Sequence, residues 1–239
     1  MKPIEPQPSR GEQVYQAIVD EICTGGLLPG THLVQDQLAE RLGVSRQPVQ
    51  QAMALLKADG LVEDAGRRGL RVASLDLARM RQHYDIRAVL DGLAARRAAG
   101  QSVAAGTVRS ALRAAGEDLV RCGRAAIERG AIPEQIRLDE AFHKLIYDHS
   151  GNPLLSRTAE PHWRFLRRAM GDVLRRAAPP ASIWDQHAAI LEAIVCGEAE
   201  RAEALAIDHV ERAATRLERA RKAGEAASSQ EEPISCPTR

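Results

Sequence analysis

Aromatic side chains are scarce: two Trp, three Tyr and two Phe make up only 3% of the 239 residues. Any core must therefore come mostly from Leu, Ala, Val and Ile, which favours helices over a large sheet. Net charge is nearly absent as well, since 33 Lys/Arg stand against 32 Asp/Glu. Bulk electrostatics thus does not announce a nucleic-acid binder. The four cysteines, Cys23, Cys122, Cys196 and Cys236, stand far apart. That spacing supports neither a zinc ribbon nor a disulfide framework and suits a reducing compartment. An N-terminal apolar leader and an apolar run of about 18 residues are both missing, so a cytoplasmic protein without a membrane segment is expected. A phosphate loop, a dinucleotide fingerprint and an activated serine or cysteine are also missing, and no enzyme is expected. What remains is 44% apolar residues in a chain long enough for two domains.

Positive charge is concentrated locally. Residues 41–71 hold six basic residues (Arg41, Arg46, Lys57, Arg67, Arg68, Arg71) against Asp59, Glu63 and Asp64. The same stretch carries a distinctive pattern. Gln35–Leu42 reads as a short helix with Leu38, Ala39 and Leu42 on one face, and Gly43 ends it in the left-handed conformation with Val44 plugging the corner. Ser45 is placed to cap a second helix, Arg46 to about Asp59, with Pro48 in its first turn and Val49, Ala52, Met53 and Leu56 as its apolar stripe. Leu61–Asp64 and Leu70–Ala73 then read as paired strands around a loop of glycine and arginine. Helix, turn, helix and basic hairpin make a winged helix-turn-helix. Its second helix suits a major groove, with Arg46 able to bond guanine and Gln47 and Gln50 able to bond adenine. Arg67 and Arg68 in the wing suit phosphates or a narrow minor groove.

The run GGLLPGTHLVQDQLAERLGVSRQPVQQAMALLKADGLVE resembles the N-terminal domain of the GntR family of bacterial transcription regulators, a likeness covering Gly25 to Ala73. It includes Pro29-Gly30 before a short strand at Thr31–Leu33. The resemblance implies DNA-contacting positions at Ser45, Arg46, Gln47 and the wing Gly69. The chain departs from the family at Gln50 and Gln51, where arginine and glutamate are usual, and this bears on the operator sequence.

Along the rest of the chain, residues 1–9 hold three prolines and read as a flexible arm. Glu12–Thr24 is a helix packing Val14, Ala17, Ile18 and Ile22, so that 10–73 forms the DNA-binding domain and 74–76 a link. Residues 77–221 read as an all-helical domain. Leu77–Ala99 is a long helix, Val103–Arg129 a pattern broken by Gly106, Gly116 and Gly123, and Ile132–His149 a helix opened by Pro133. A further helix follows Pro153 to about Arg176, Ser182 and Asp185 cap Ile183–Cys196, and the last helix runs from Glu198 to about Ala223. Residues 222–239 read as a disordered tail. The fold class is mainly α: an N-terminal winged helix-turn-helix and a C-terminal helical bundle.

In that bundle four polar residues occupy apolar rows. Asp139 and His143 lie in the row Ile136 to Ile146, His187 in the row Ile183 to Ile194, and His209 in the row Ala202 to Ala213. One interior histidine alone is more often a hydrogen-bonded core residue. Three with a carboxylate, from three helices, favour a divalent metal such as zinc or nickel, because a buried carboxylate needs a cation or donors and neutral imidazoles are good ligands. His162, offset by helical steps from Leu155, Ala159, Leu166 and Val173, is expected to look into the same pocket, while Arg164, Arg167 and Arg168 form an outer face. His32, His83 and His149 read as surface or boundary residues, and Trp163 and Trp184 as packing anchors.

The segments HYDIRAVLDGLAARRAA, LDEAFHKLIYDHSGN and DQHAAILEAIVCGEAERAEALAIDHV resemble the FCD ligand-binding domain of the FadR subfamily, over about Leu77 to Leu217. The resemblance implies a metal held at Asp139, His143, His187 and His209, and a small organic acid effector met by the metal and Arg87. Helical spacing also allows Arg87 a plain i,i+4 pair with Asp91 on a solvated face, and the two readings stand side by side. The expected protein is a ligand-responsive repressor, homodimeric so that two reading heads match a palindromic operator. The competing expectation is a metal-dependent enzyme with the ion as Lewis acid, which lacks a general base beyond the ligands and leaves the winged helix idle.

Overall fold

The computed structural model describes residues 8–66, 69–104, 106–175 and 182–230. Within them the chain is mainly helical and forms two compact units. The first takes the chain up to His83 together with Arg157–Asp172, and the second takes Tyr84–Ser156 and the chain from Val173 onward. Chain order suggested a boundary at 74–76; the packing instead adds the first two turns of the next helix, up to His83, and a later helical segment to the first unit.

The first unit opens with α1 (Arg10–Thr24), whose start is fixed by a capping box between Ser9 and Glu12. Val14, Ile18, Val19 and Ile22 form its buried face against α3 (Arg46–Ala58), which contributes Val49, Ala52, Met53 and Leu56. Between them in the chain comes α2 (Gln35–Leu42), which packs on α3 and is ended by Gly43 at φ 63°. Only Leu38 and Ala39 of α2 are buried; Leu42, expected on the same face, stays at the surface, while Gly43 turns the chain and Val44 packs against the core instead. Ser45 occupies the N-cap position of α3 with extended backbone but makes no capping hydrogen bond, so the expected cap is absent.

The strands β1 (His32–Leu33), β2 (Val62–Asp64) and β3 (Leu70–Val72) form one antiparallel sheet in the order β1-β3-β2. Register pairs His32 with Arg71 and Val62 with Val72. The hairpin loop is closed by the Ala65 amide on the Gly69 carbonyl, with Gly66 and Gly69 both at positive φ, where other residues are strained. Arg67 and Arg68 lie outside the described residues.

The helical elements continue with α4 (Leu77–Ala104), whose first turn is capped by the Asp76 carboxylate, then α5 (Gly106–Glu128) and α6 (Ile132–His149). After these come α7 (Leu154–Leu174), α8 (Ile183–Val195) and α9 (Ala199–Gln230). In the second unit α5 packs on α6 and α8, and α8 packs on α9. Gly116 and Gly123 do not break α5 as expected. They let α8 approach: a Cβ on Gly116 would meet Leu191 at 2.6 Å, and one on Gly123 would overlap Trp184. The Ser182 cap of α8 is also absent, because Ser182 has helical dihedrals and Asp185 is drawn to Arg124 at 2.7 Å. The tail reading is corrected too, since α9 runs on to Gln230. Gly224 costs about 1 kcal/mol in a helix, but glutamate and alanine follow it and propagate the turn. Residues 231–239 lie outside the described residues.

Candidate metal centre and nucleic-acid interface

At the N-terminal end of α3, Ser45, Arg46, Gln47 and Gln50 are all exposed, side by side with the buried stripe that fixes the helix. Arg46 is held by Asp36 of α2, with Nε 2.6 Å from Oδ1 and a terminal guanidinium nitrogen 2.9 Å from Oδ2. The local positive charge expected from composition is therefore partly neutralised. Lys57 pairs with Asp64 at 2.7 Å and Arg71 with Glu63 at 2.7 Å. Such exposed pairs are worth about 0–1 kcal/mol, so a phosphate or base edge can compete for each cation. Gly69 is exposed at the base of the wing.

Under this surface, the first unit is tied together by polar contacts that sequence reading assigned elsewhere. Asp59 accepts from the Tyr15 hydroxyl at 2.6 Å and pairs with Arg164 at 3.2 Å. Arg168, expected on an outer face, is buried and donates to the carbonyls of Gly60 and Ala73. Those carbonyls end α3 and β3, so the arginine supplies donors that the sheet does not. His162, expected beside the cluster of interior histidines, instead faces His83 with Nδ1 atoms 3.0 Å apart in the first unit. The apolar row of α7 faces an interior, but this part of it is the interior of the first unit. His83, read as a surface or boundary residue, is half-buried and stacks on Phe165 with ring centroids 4.3 Å apart. Burial, then the neighbouring His162 and Arg79, push its imidazole down to about 4.

In the second unit, Asp139, His143, His187 and His209 are all buried, and one possible ligand atom from each lies within 4.8 Å of every other. The helical spacing explains the placement: i and i+4 on α6 set Asp139 and His143 one turn apart, and α8 and α9 each add one imidazole. His187 Nε2 is 3.4 Å from His143 Nε2 and 3.4 Å from an Asp139 oxygen. Four donors set tetrahedrally about 2.0–2.1 Å from an ion are spaced roughly 3.4 Å apart, so these separations fit a nitrogen- and oxygen-bound divalent ion.

The ring orientations agree with that fit. His143 Nδ1 is 3.1 Å from Asp91 Oδ2, and His209 Nδ1 is 3.0 Å from the Gln186 side-chain oxygen. Each contact takes the proton on Nδ1 and leaves the Nε2 lone pair for the cluster. Burial holds His187 well below the ordinary imidazole range, with His209 and His143 adding to it. Burial likewise holds His209 down, followed by His143 and Arg87. Both rings are thus neutral, the form that ligates metal. His187 Nδ1 is buried without a hydrogen-bond partner, and Trp184 and Phe142 pack against this ring at 4.5 and 4.4 Å.

Arg87 is neither on a solvated face nor open. It is 2% exposed and pairs with Asp91, Nε at 3.2 Å and a terminal nitrogen at 3.0 Å from the same Oδ2. The Tyr147 hydroxyl donates to the other Asp91 oxygen. Burial alone would raise the Asp91 carboxyl, but Arg87 and His143, then Tyr147, together hold it well below the carboxylate range. Tyr147 and Gln186 were not singled out from sequence, and Asp91 was read only as a solvated i,i+4 partner of Arg87. The available signal was spacing: Asp91 follows Arg87 by four, Tyr147 follows His143 by four, and Gln186 precedes His187.

Among the described residues no helix is long and apolar enough to cross a membrane. Residues 10–72 match the model for bacterial regulatory proteins of the gntR family, and residues 82–212 match the FCD domain. The HTH-type transcriptional repressor RspR of Escherichia coli is 26% identical over 208 residues, covering 87% of this chain and 89% of RspR. An HTH-type regulator from the TAR-I ttuE-ttuC' intergenic region of Agrobacterium vitis is 35% identical over 138 residues, 57% of this chain and 78% of the relative. Among solved structures, E. coli McbR/YncC superposes with a TM-score of 0.74 at 21% identity, covering 89% of this chain and 99% of that one. A GntR transcriptional regulator from Rhodococcus sp. RHA1 gives 0.69 at 20% identity, over 88% and 98%. With a reading head and a helical domain both matched, and the FCD match alone spanning more than half of its length, the chain belongs to the GntR family of DNA-binding transcription regulators, in its FCD-containing branch.

Proposed function

We propose that the chain is a ligand-responsive repressor whose helical unit holds one divalent ion, zinc or nickel, and binds a small organic acid. The observation that carries this reading is the convergence of four buried donors with at least two ring tautomers fixed from outside. Three neutral imidazoles and a carboxylate suit ions of that class. When bound, the ion supplies Lewis-acid attraction for a carboxylate oxygen. Asp139 offsets part of its charge, and His143, His187 and His209 hold their lone pairs toward it. Arg87 is the proposed partner of a second acid group, which then competes with Asp91 for the guanidinium. A cleft of about 600 Å³ along α9, the helix of His209, is lined by Arg212, Arg216 and Arg219 together with Asp208 and Glu211, and Arg212 is paired with Asp208 at 2.8 Å. His162 is left out of this site, since it is engaged with His83.

On the DNA side, Arg46, Gln47 and Gln50 are proposed to read bases and Ser45 to meet a phosphate, its hydroxyl uncommitted to capping. Arg67, Arg68 and Gly69, the wing residues expected from the sequence, are proposed to meet the DNA backbone or minor groove. A homodimer would present two such heads to a palindrome. Ile86, Val89 and Leu93, exposed by 47, 67 and 40%, line one face of α4 at i, i+3 and i+7, an apolar stripe that a second copy would cover. The likeness to RspR, a repressor, supports the sign of regulation.

The test is to titrate citrate and simpler carboxylic acids into metal-loaded protein, chelated protein and His187→Ala, following heat and operator binding together. Saturable binding that weakens operator affinity, and disappears on chelation, is the expected result. An acid affinity indifferent to chelation would make the metal structural only. Turnover of a bound acid would favour the enzyme reading instead.

A further inference from the structure

Three polar groups, from Arg87, His143 and Tyr147, meet at Asp91 in the interior of the second unit. Asp91 is 3% exposed, Arg87 and His143 2%, and Tyr147 3%. One oxygen, Oδ2, accepts from Arg87 through two nitrogens and from His143 Nδ1 at 3.1 Å, while Oδ1 accepts from Tyr147. A buried carboxylate needs donors for its lone pairs, and here one of those donors is the ring Nδ1 of a proposed metal ligand.

We propose that Asp91 is the positioning carboxylate of the metal centre, and that it ties the ligand set to Arg87. The proposal rests on the metal reading above. A neutral imidazole has two tautomers, and only the one protonated on Nδ1 presents Nε2 as a ligand. By accepting that Nδ1 proton, Asp91 selects the competent tautomer, fixes the ring plane toward His187 and Asp139, and makes Nε2 more basic. Because Arg87 binds the same oxygen, drawing the guanidinium toward an acid leaves Asp91 more negative toward His143. The ion and the acid therefore favour each other's binding through one shared oxygen.

Wild type, Asp91→Asn and Arg87→Met are titrated with zinc alone against a chromophoric chelator. The proton position on His143 is read in metal-free protein by nitrogen NMR. Both substitutions break the same buried pair, so a purely structural role affects them alike. The positioning role separates them. Asp91→Asn loses about 10–100-fold in zinc affinity and populates both His143 tautomers. Arg87→Met keeps the proton on Nδ1 and binds zinc more tightly than wild type, because the ion becomes the counter-charge of the unpaired carboxylate. Should Asp91→Asn fail to fold, Arg87→Met/Asp91→Asn leaves no buried charge unpaired and takes its place, with the same loss expected. Equal losses in the two single variants, or unchanged zinc affinity without the carboxylate, overturn the proposal. A wild-type chain that takes up no zinc sinks the metal reading instead. Even then the apo spectrum judges Asp91, since a wild-type His143 protonated on Nε2 rules out its role.

Discussion

At the scale of single residues, the exposed clamp of Arg46 by Asp36 sets up a competition. A carboxylate at the groove repels phosphates and occupies the guanidinium that is proposed to meet guanine. Arg46→Ala is expected to cost roughly 1–3 kcal/mol of operator binding and to relax preference at one base pair. Asp36→Asn should go the other way, tightening binding to operator and random DNA alike, with a larger gain at low salt. Fluorescence anisotropy at several salt concentrations checks both, and weaker binding by Asp36→Asn would show that the clamp orients Arg46 rather than withholding it. His83 gives a second prediction, from its proton. Its folded value of about 4 lies below the ordinary 6.5, so the unfolded chain binds the proton first as pH falls. The contribution is complete above about 6.5 and is lost as pH drops from there through about 4. Thermal melts between pH 7.5 and 4.5 should therefore fall less steeply for His83→Gln than for wild type, and parallel curves would remove His83 as a source of acid sensitivity.

At the scale of elements, the contact of α5 with α8 depends on side chains that are not there. Gly123→Ala would place a methyl group among Trp184 ring atoms about 2 Å away, and overpacking of this kind costs about 1–3 kcal/mol. A lowered melting temperature together with weaker zinc binding is expected, because Trp184 packs against His187. A variant as stable as wild type would mean that α8 can retreat without penalty. These glycines also show where sequence legibility ended. Gly116 and Gly123 read as breaks, since propensity registers only their cost and not the helix that needs their space. Position was legible where periodicity carried it: α2 and α6 begin and end at the expected residues, and Asp139, His143, His187 and His209 follow from their rows. Partners were not. Helical spacing paired Arg87 with Asp91 but could not tell a solvated face from an interior one, nor that His143 and Tyr147 join from α6. Arg168 read as surface because its partners are backbone carbonyls, which every sequence contains and none advertises.

For the whole molecule, assembly is the property most open to test. The stripe of Ile86, Val89 and Leu93 on α4 is the motivation for a homodimer hypothesis, and Val89→Glu would bury a charge in any interface built on it. Sedimentation should find wild type dimeric and Val89→Glu shifted toward monomer, with a steep loss of affinity for a palindromic operator but a smaller one for a half-site. A Val89→Glu dimer as tight as wild type would place the interface on another face. The scarcity of aromatic residues has an optical consequence of its own. The two tryptophans fall one to each unit, Trp163 in the first and Trp184 in the second, each only 2% exposed. Trp184 lies 4.5 Å from the His187 ring, close enough for a paramagnetic ion such as nickel at that ring to quench its emission. Trp163→Phe and Trp184→Phe would therefore divide the intrinsic fluorescence into two channels, one sensing the reading head and the other the proposed metal centre, without any attached dye.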